Sequence, residues 1–228
     1  MNTTSCTTQL PSFSIQEKVD SIQQNIEGIT DGLIASLPDP KQLSFDARRG
    51  IISRYTAVLE GNFIYWMTGT LLAVRSEDAR PILLDNLHEE VRDSHPEMMR
   101  RFAVAAHAYP TDCDAMTVHR ELRNVRLFIG QLCSVRSLLM MAFFEGFIQR
   151  FMAYLADLAV AQGSTELEYT DVHGVCDVLH TQGLFRALAA EMELNPPEPE
   201  TDLYEGVDAL RGLINTIVHG AQLDGAVN

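Results

Sequence analysis

The sequence predicts an all-α protein. Three observations carry that expectation. Apolar residues recur at intervals of three and four along almost every informative segment, and this is helical rather than strand periodicity. The nine prolines and fourteen glycines fall mostly between those segments. The chain also has 228 residues of which 46% are apolar, enough to bury one large core without disulfide or metal staples, so a single domain is expected.

The elements follow in order. Residues 1–12 read as a polar, disordered tail, residues 13–219 as the helical domain, and residues 220–228 as a second disordered tail. Ile15 to Leu37 gives the first helix, with Val19, Ile22, Ile26, Ile29 and Leu33 on one face and Pro38-Asp39-Pro40 as its stop. Ser44 to Val74 is expected as one long helix, central because its apolar residues crowd between Tyr55 and Leu72. Asp78 to Asp93 is a third helix, breaking at His95-Pro96, since proline disfavours helix in the residue before it and suits the first turn of the next. Thr117 to Ala161 is apolar nearly all round and is expected to hold two buried helices divided near Gly130 to Ser137. Tyr169-Thr170-Asp171 looks like a cap for a helix reaching Thr181 or Glu193. The segment from Asn195 to Glu200 is a proline-rich linker, and Leu203 to His219 is a last amphipathic helix.

Charge narrows the function. With 17 Lys and Arg against 31 Asp and Glu, the formal net charge is −14, which opposes binding to nucleic-acid phosphates and to anionic membranes. The four cysteines, Cys6, Cys113, Cys133 and Cys176, have no C-x-x-C spacing and read as reduced thiols. The start MNTTSCTTQLPSFS lacks the basic and apolar runs of a secretory signal, and the most apolar stretch, Leu138 to Phe144, is far short of a bilayer span. A soluble cytoplasmic protein is the expectation.

The sharpest constellation is His173-x-x-x-Asp177-x-x-His180. Offsets of four and seven residues turn about 40° and −20° round a helix, so the three side chains share one stripe. Two imidazoles and a carboxylate there can grip one divalent metal, and a nitrogen and oxygen donor set suits iron or manganese at least as well as zinc. A polar stripe facing solvent would have the same spacing. Two glutamates in apolar company favour the metal: Glu60 among Val58, Leu59, Phe63, Ile64 and Trp66, and Glu145 among Phe143, Phe144, Phe147 and Ile148. A buried carboxylate costs several kcal/mol unless paired, protonated or metal-bound. Arg54, Arg136 or Arg150 could instead supply ordinary salt bridges to them. The third helix adds Glu90 and His95, which would lie about 140° apart on a continuous helix, so His88 and Glu89 stand as alternatives.

Taken in order, Glu60; Asn86, Leu87, Glu90 and His95-Pro96-Glu97; Glu145 in MAFFEGF; and His173, Asp177 and His180 resemble the heme-oxygenase-like dimetal oxidases and oxygenases. The resemblance spans roughly residues 45 to 190. It implies an up-down bundle of about seven helices, and a ligand pool of Glu60, Glu90, His95, Glu145, His173, Asp177 and His180 for two Fe(II) ions. It further implies reduction of O2 through a peroxo-diferric species that acts on small amines, amino acids or fatty acids. Here the interval between Glu90 and His95 is shorter than in relatives, which leaves the ligands of that segment open. A ferritin-like diiron site needs Glu-x-x-His pairs, and this chain has none. Heme ligation lacks an early-helix histidine, since His88 is the first in the chain.

For substrate, Tyr55, Phe63, Met141 and Phe144, with Trp66, Met67 and Phe147 nearby, could wall an apolar cavity. Arg136, Arg54 or Arg126 could bind a carboxylate. A small amino acid or amine in a specialised biosynthetic pathway is the expected substrate, with N-oxygenation, carbon-carbon cleavage or nitrile formation as outcome and a homodimer as the assembly. The rivals are a non-catalytic helical binding or assembly protein and a metal-free thiaminase-like hydrolase using Cys133 or Cys176.

Overall fold

The computed structural model describes residues 14–220. Among them the chain forms nine helices and no strand: α1 (Ile15–Ala35), α2 (Phe45–Leu59), α3 (Asn62–Ala73), α4 (Ala79–Arg92), α5 (His95–Ala105), α6 (Asp112–Ile129), α7 (Ser134–Ala161), α8 (Glu168–Leu194) and α9 (Glu205–His219). The expected tails lie outside the described residues, apart from Gly220.

The count exceeds seven because the helix expected over Ser44 to Val74 is cut by a left-handed residue, and because the break expected at His95-Pro96, also made by a left-handed residue, separates two full helices. Between Ser44 and Val74 the chain leaves the helix at Glu60 (ψ 96°) and turns through Gly61 at φ +81°, a conformation glycine adopts without a Cβ penalty. After α4, Ser94 takes φ +56°, a strained value for a residue with a side chain, and Pro96 then sits in the first turn of α5. The expected break therefore falls just before His95 rather than at it. The sixth helix starts at Asp112, ahead of the expected Thr117, because Thr111 and Asp114 form a reciprocal capping box. Ser14 and Glu17 cap α1 in the same way. The eighth helix starts one residue before Tyr169 and continues unbroken to Leu194, the longer of the two expected extents.

Helix α7 is the axle of the bundle. It is long and apolar enough to cross a membrane by length and composition, but 78% of its most apolar window is buried, and it packs on α1, α2, α3, α8 and α9. A helix surrounded on all sides needs apolar residues all round, which explains why its sequence shows no clean stripe. Its partnership with α8 is the most extensive in the fold and is antiparallel: Ser134 meets Asn195 at one end, and Gln149 meets Gly174 further along. The α4 helix lies against α8, and α5 joins α2 and α8. This arrangement points α4, α5, α7 and α8 at one interior volume.

Helix α9 closes the opposite side through Gly206, where close approach requires glycine. A Cβ there would stand 2.5 Å from Cε1 of the Phe128 ring and 3.0 Å from the Met140 Cβ. Gly206→Ala should therefore lower stability by about 1–3 kcal/mol despite the better helix propensity of alanine. A thermal melt at or above the wild-type midpoint would contradict this packing.

Candidate metal centre

Two triads of buried ligand groups face each other across α4, α5, α7 and α8. The first is Glu90 of α4, His95 of α5 and His173 of α8; the second is Glu145 of α7 with Asp177 and His180 of α8. Within each triad one potential ligand atom per residue lies within 4.8 Å of the others, and all six residues are buried. His95 Nδ1 stands 2.9 Å from Glu90 Oε1, and His173 Nε2 stands 3.7 Å from the same oxygen. In the second set His180 Nδ1 lies 3.8 Å from Glu145 Oε1 and 3.7 Å from Asp177 Oδ1. The His95 and His173 rings meet edge-on at 4.5 Å. The α8 stripe thus serves both triads, and the turn at Ser94 brings His95 beside Glu90 where a continuous helix would hold them apart.

Of the seven expected ligands, six come together and Glu60 does not. At the C-cap of α2 its side chain is a third exposed and ion-paired to Arg100 at 2.6 Å. The turn at Gly61 is the reason: it ends the helix that was to carry Glu60 inward. Three carboxylates, not four, therefore sit within the triads. Neither alternative replaces Glu90. His88 is absent from both triads, and Glu89 sits behind His180, its Oε2 2.8 Å from Nε2.

Residues 54–211 match the family described as iron-containing redox enzymes. The chain belongs to that heme-oxygenase-like family. No curated protein matches it.

The donor chemistry of this member of the family fits metal. Each triad mixes imidazole with carboxylate and lacks sulfur, the pattern that suits iron. Glu145 Oε1 is fully buried with no hydrogen-bond partner among the described residues, which is costly unless something else satisfies it. Burial raises the Glu145 carboxyl beyond what the attraction of His180 offsets. Burial also opposes ionisation of Glu90, but the attraction of His173 at 3.7 Å and the hydrogen bond with His95 overcome it and hold that carboxyl at about 2. Burial would lower His180, yet Glu145 and Glu89 lift it to about 9; His95 and His173 are raised by Glu90 in the same manner.

These directions set a pH dependence for the metal-free protein. Glu90 contributes stability present above its ordinary 4.5 and lost as pH falls through about 2. His180 contributes stability present below its ordinary 6.5 and lost as pH rises through about 9. Chelator-treated protein should thus lose on the order of 1–2 kcal/mol between pH 6 and 9.5 in denaturant titrations, after allowance for solvent screening at His180. A gain over that interval would contradict the assignment.

The surroundings of the triads include a residue the sequence did not single out. Tyr169 accepts the His173 Nδ1 hydrogen bond on its backbone oxygen at 2.9 Å, and its ring lies 4.4 Å from that imidazole. Its hydroxyl pairs with that of Tyr55 at 2.8 Å, so Tyr55 borders the site. Phe63 lines a cavity of about 20 Å³ with Leu59, Met99 and Tyr169, and Glu90 and His95 form its inner wall. Phe144 packs on Phe63 and Trp66, and Met141 is fully buried one turn before Glu145. Arg136 does not reach the site. It ion-pairs with Glu205 and contacts Cys133 at the start of α7, about 13 Å along the axis from Glu145. Arg54 binds the carbonyls of Ile217 and Val218, and Arg126 binds Asn62. Cys133 lies at that same remote helix end, and the side chain of Cys176 lies outside the described residues.

Proposed function

We propose that the chain is an O2-dependent non-heme diiron oxidase or oxygenase acting on a small amino acid or amine. The observation that carries this reading is the pair of adjacent, buried histidine-carboxylate triads in a family of iron-containing redox enzymes. Glu90, His95 and His173 would hold one ion, and Glu145, Asp177 and His180 the other. Two ferrous ions, when bound, supply electrons for reducing dioxygen.

The protein's own groups do the rest. Tyr169 and Glu89 each take a hydrogen from the outer ring nitrogen of a histidine and so orient the inner one. Trp66, Phe63, Phe144 and Tyr55 exclude water from the inner volume. The cavity against Glu90 and His95 has room for a molecule the size of water or dioxygen. N-oxygenation, carbon-carbon cleavage and nitrile formation all fit an amine nitrogen or its neighbouring carbon held beside the triads.

Aerobic incubation of the iron-loaded protein with amino-acid, amine and fatty-acid panels, read by mass spectrometry, tests the proposal. Conversion of an amino acid or amine that needs both iron and O2 supports it. Conversion of fatty acids alone would overturn the substrate class, and no iron-dependent conversion would overturn the enzyme reading.

A further inference from the structure

We propose that Glu89 is a positioning residue that decides which nitrogen of His180 meets the metal. The inference rests on the metal reading of the two triads. His180 sits among three acids: its Nε2 is 2.8 Å from Glu89 Oε2, while its Nδ1 faces Glu145 and Asp177. A neutral imidazole carries one N–H and one lone pair, so an acceptor fixed on Nε2 commits the hydrogen to that side and leaves the Nδ1 lone pair for the ion.

The same device is built in mirror form at the other triad. There the backbone oxygen of Tyr169 holds His173 Nδ1, and Nε2 faces Glu90. Two histidines on one stripe of α8 therefore offer opposite ring nitrogens. His173 is held from within its own helix, one turn back, and needs no partner from elsewhere. His180 has its outer acceptor only because α4 packs on α8. Successive residues of α4 then divide the work, Glu90 entering the first triad and Glu89 bracing the second from its partly exposed side. Glu89 is thus a second reason, besides the ligand Glu90, for α4 to be held against α8.

Co(II) is a suitable probe because it fills such sites and shifts the ring N–H protons of its histidine ligands. The experiment titrates wild type, Glu89→Ala, Glu89→Gln and His180→Ala with Co(II), and follows the exchangeable hyperfine-shifted N–H signals by proton NMR. Wild type should bind two ions. Glu89→Ala should weaken one of them about 10- to 100-fold, leave the other unchanged, and lose or broaden one N–H signal. Glu89→Gln should recover most of both effects, because its amide oxygen still accepts the Nε2 hydrogen. A merely structural role would move the melting temperature and leave the N–H signal in place. Glu89→Ala binding both ions like wild type, with its N–H signals intact, overturns the proposal alone. Both Glu89 variants losing one ion as completely as His180→Ala would make Glu89 a ligand and also overturn it. A wild-type chain that takes up no Co(II) overturns the metal reading, and this inference falls with it.

Discussion

Alanine at both His173 and His180 should abolish metal uptake, because each triad then loses the imidazole that α8 contributes. In anaerobic Fe(II) titrations wild type is expected to bind about two ions per chain and the double variant none within the micromolar range, since ligand loss removes far more affinity than the 10- to 100-fold typical of an outer partner. The single variants separate the triads: His173→Ala should spare the ion held by Glu145, Asp177 and His180, and His180→Ala the ion held by Glu90, His95 and His173. Full uptake by the double variant would show that these histidines are not ligands. Melts of the metal-free variants guard against simple unfolding. Both side chains are buried but face polar partners, so loss of the ring should cost far less than loss of a core phenylalanine.

Glu145 should show the opposite sign in stability and function. Its carboxyl is buried on α7, is pushed upward by burial, and keeps one oxygen without a hydrogen-bond partner among the described residues. Such a group stabilises the protein only when something inside the bundle satisfies it. Glu145→Leu should therefore raise the stability of the metal-free protein by about 1–3 kcal/mol at pH 10, where His180 is neutral and loses nothing by the removal of its acidic partner, while removing one of the two ions at neutral pH. Denaturant titrations with chelator, paired with metal stoichiometry, read both halves. A variant that is less stable without metal at pH 10, or that still binds two ions at neutral pH, would contradict the account. The acid is then a functional liability held in place by the site and not a packing element.

How far the sequence reveals this centre depends on where each partner lies. The α8 triplet was legible because spacing within one helix fixes a shared face, and Glu145 was legible because a carboxylate in a run of phenylalanines has no apolar role. Glu90 and His95 were candidates, but their meeting depends on the left-handed turn at Ser94, which helix periodicity does not encode. Glu60 misled because its neighbours are apolar while its own side chain leaves at a helix end beside Gly61 and turns to Arg100, forty residues on. Arg136 misled for a related reason: its partner Glu205 is 69 residues away, on a helix whose docking no local pattern predicts. Glu89 and Tyr55 act through α8 partners 91 and 114 residues distant, so only the packed bundle assigns them. The helix ends that proline marks were read well, whereas the capping box at Thr111 and Asp114 that starts α6 was missed. The one extra break came at Gly61, a positive-φ residue, and the break expected at His95-Pro96 is made one residue earlier by Ser94, also at positive φ.

The central claim is that two metal ions sit in two defined triads. Anomalous diffraction at the iron edge, from crystals loaded anaerobically with Fe(II), tests it most directly. The account predicts two iron peaks, one among Glu90, His95 and His173 and the other among Glu145, Asp177 and His180. Iron elsewhere on the chain, or no bound iron under conditions in which the crystals remain intact, would contradict it.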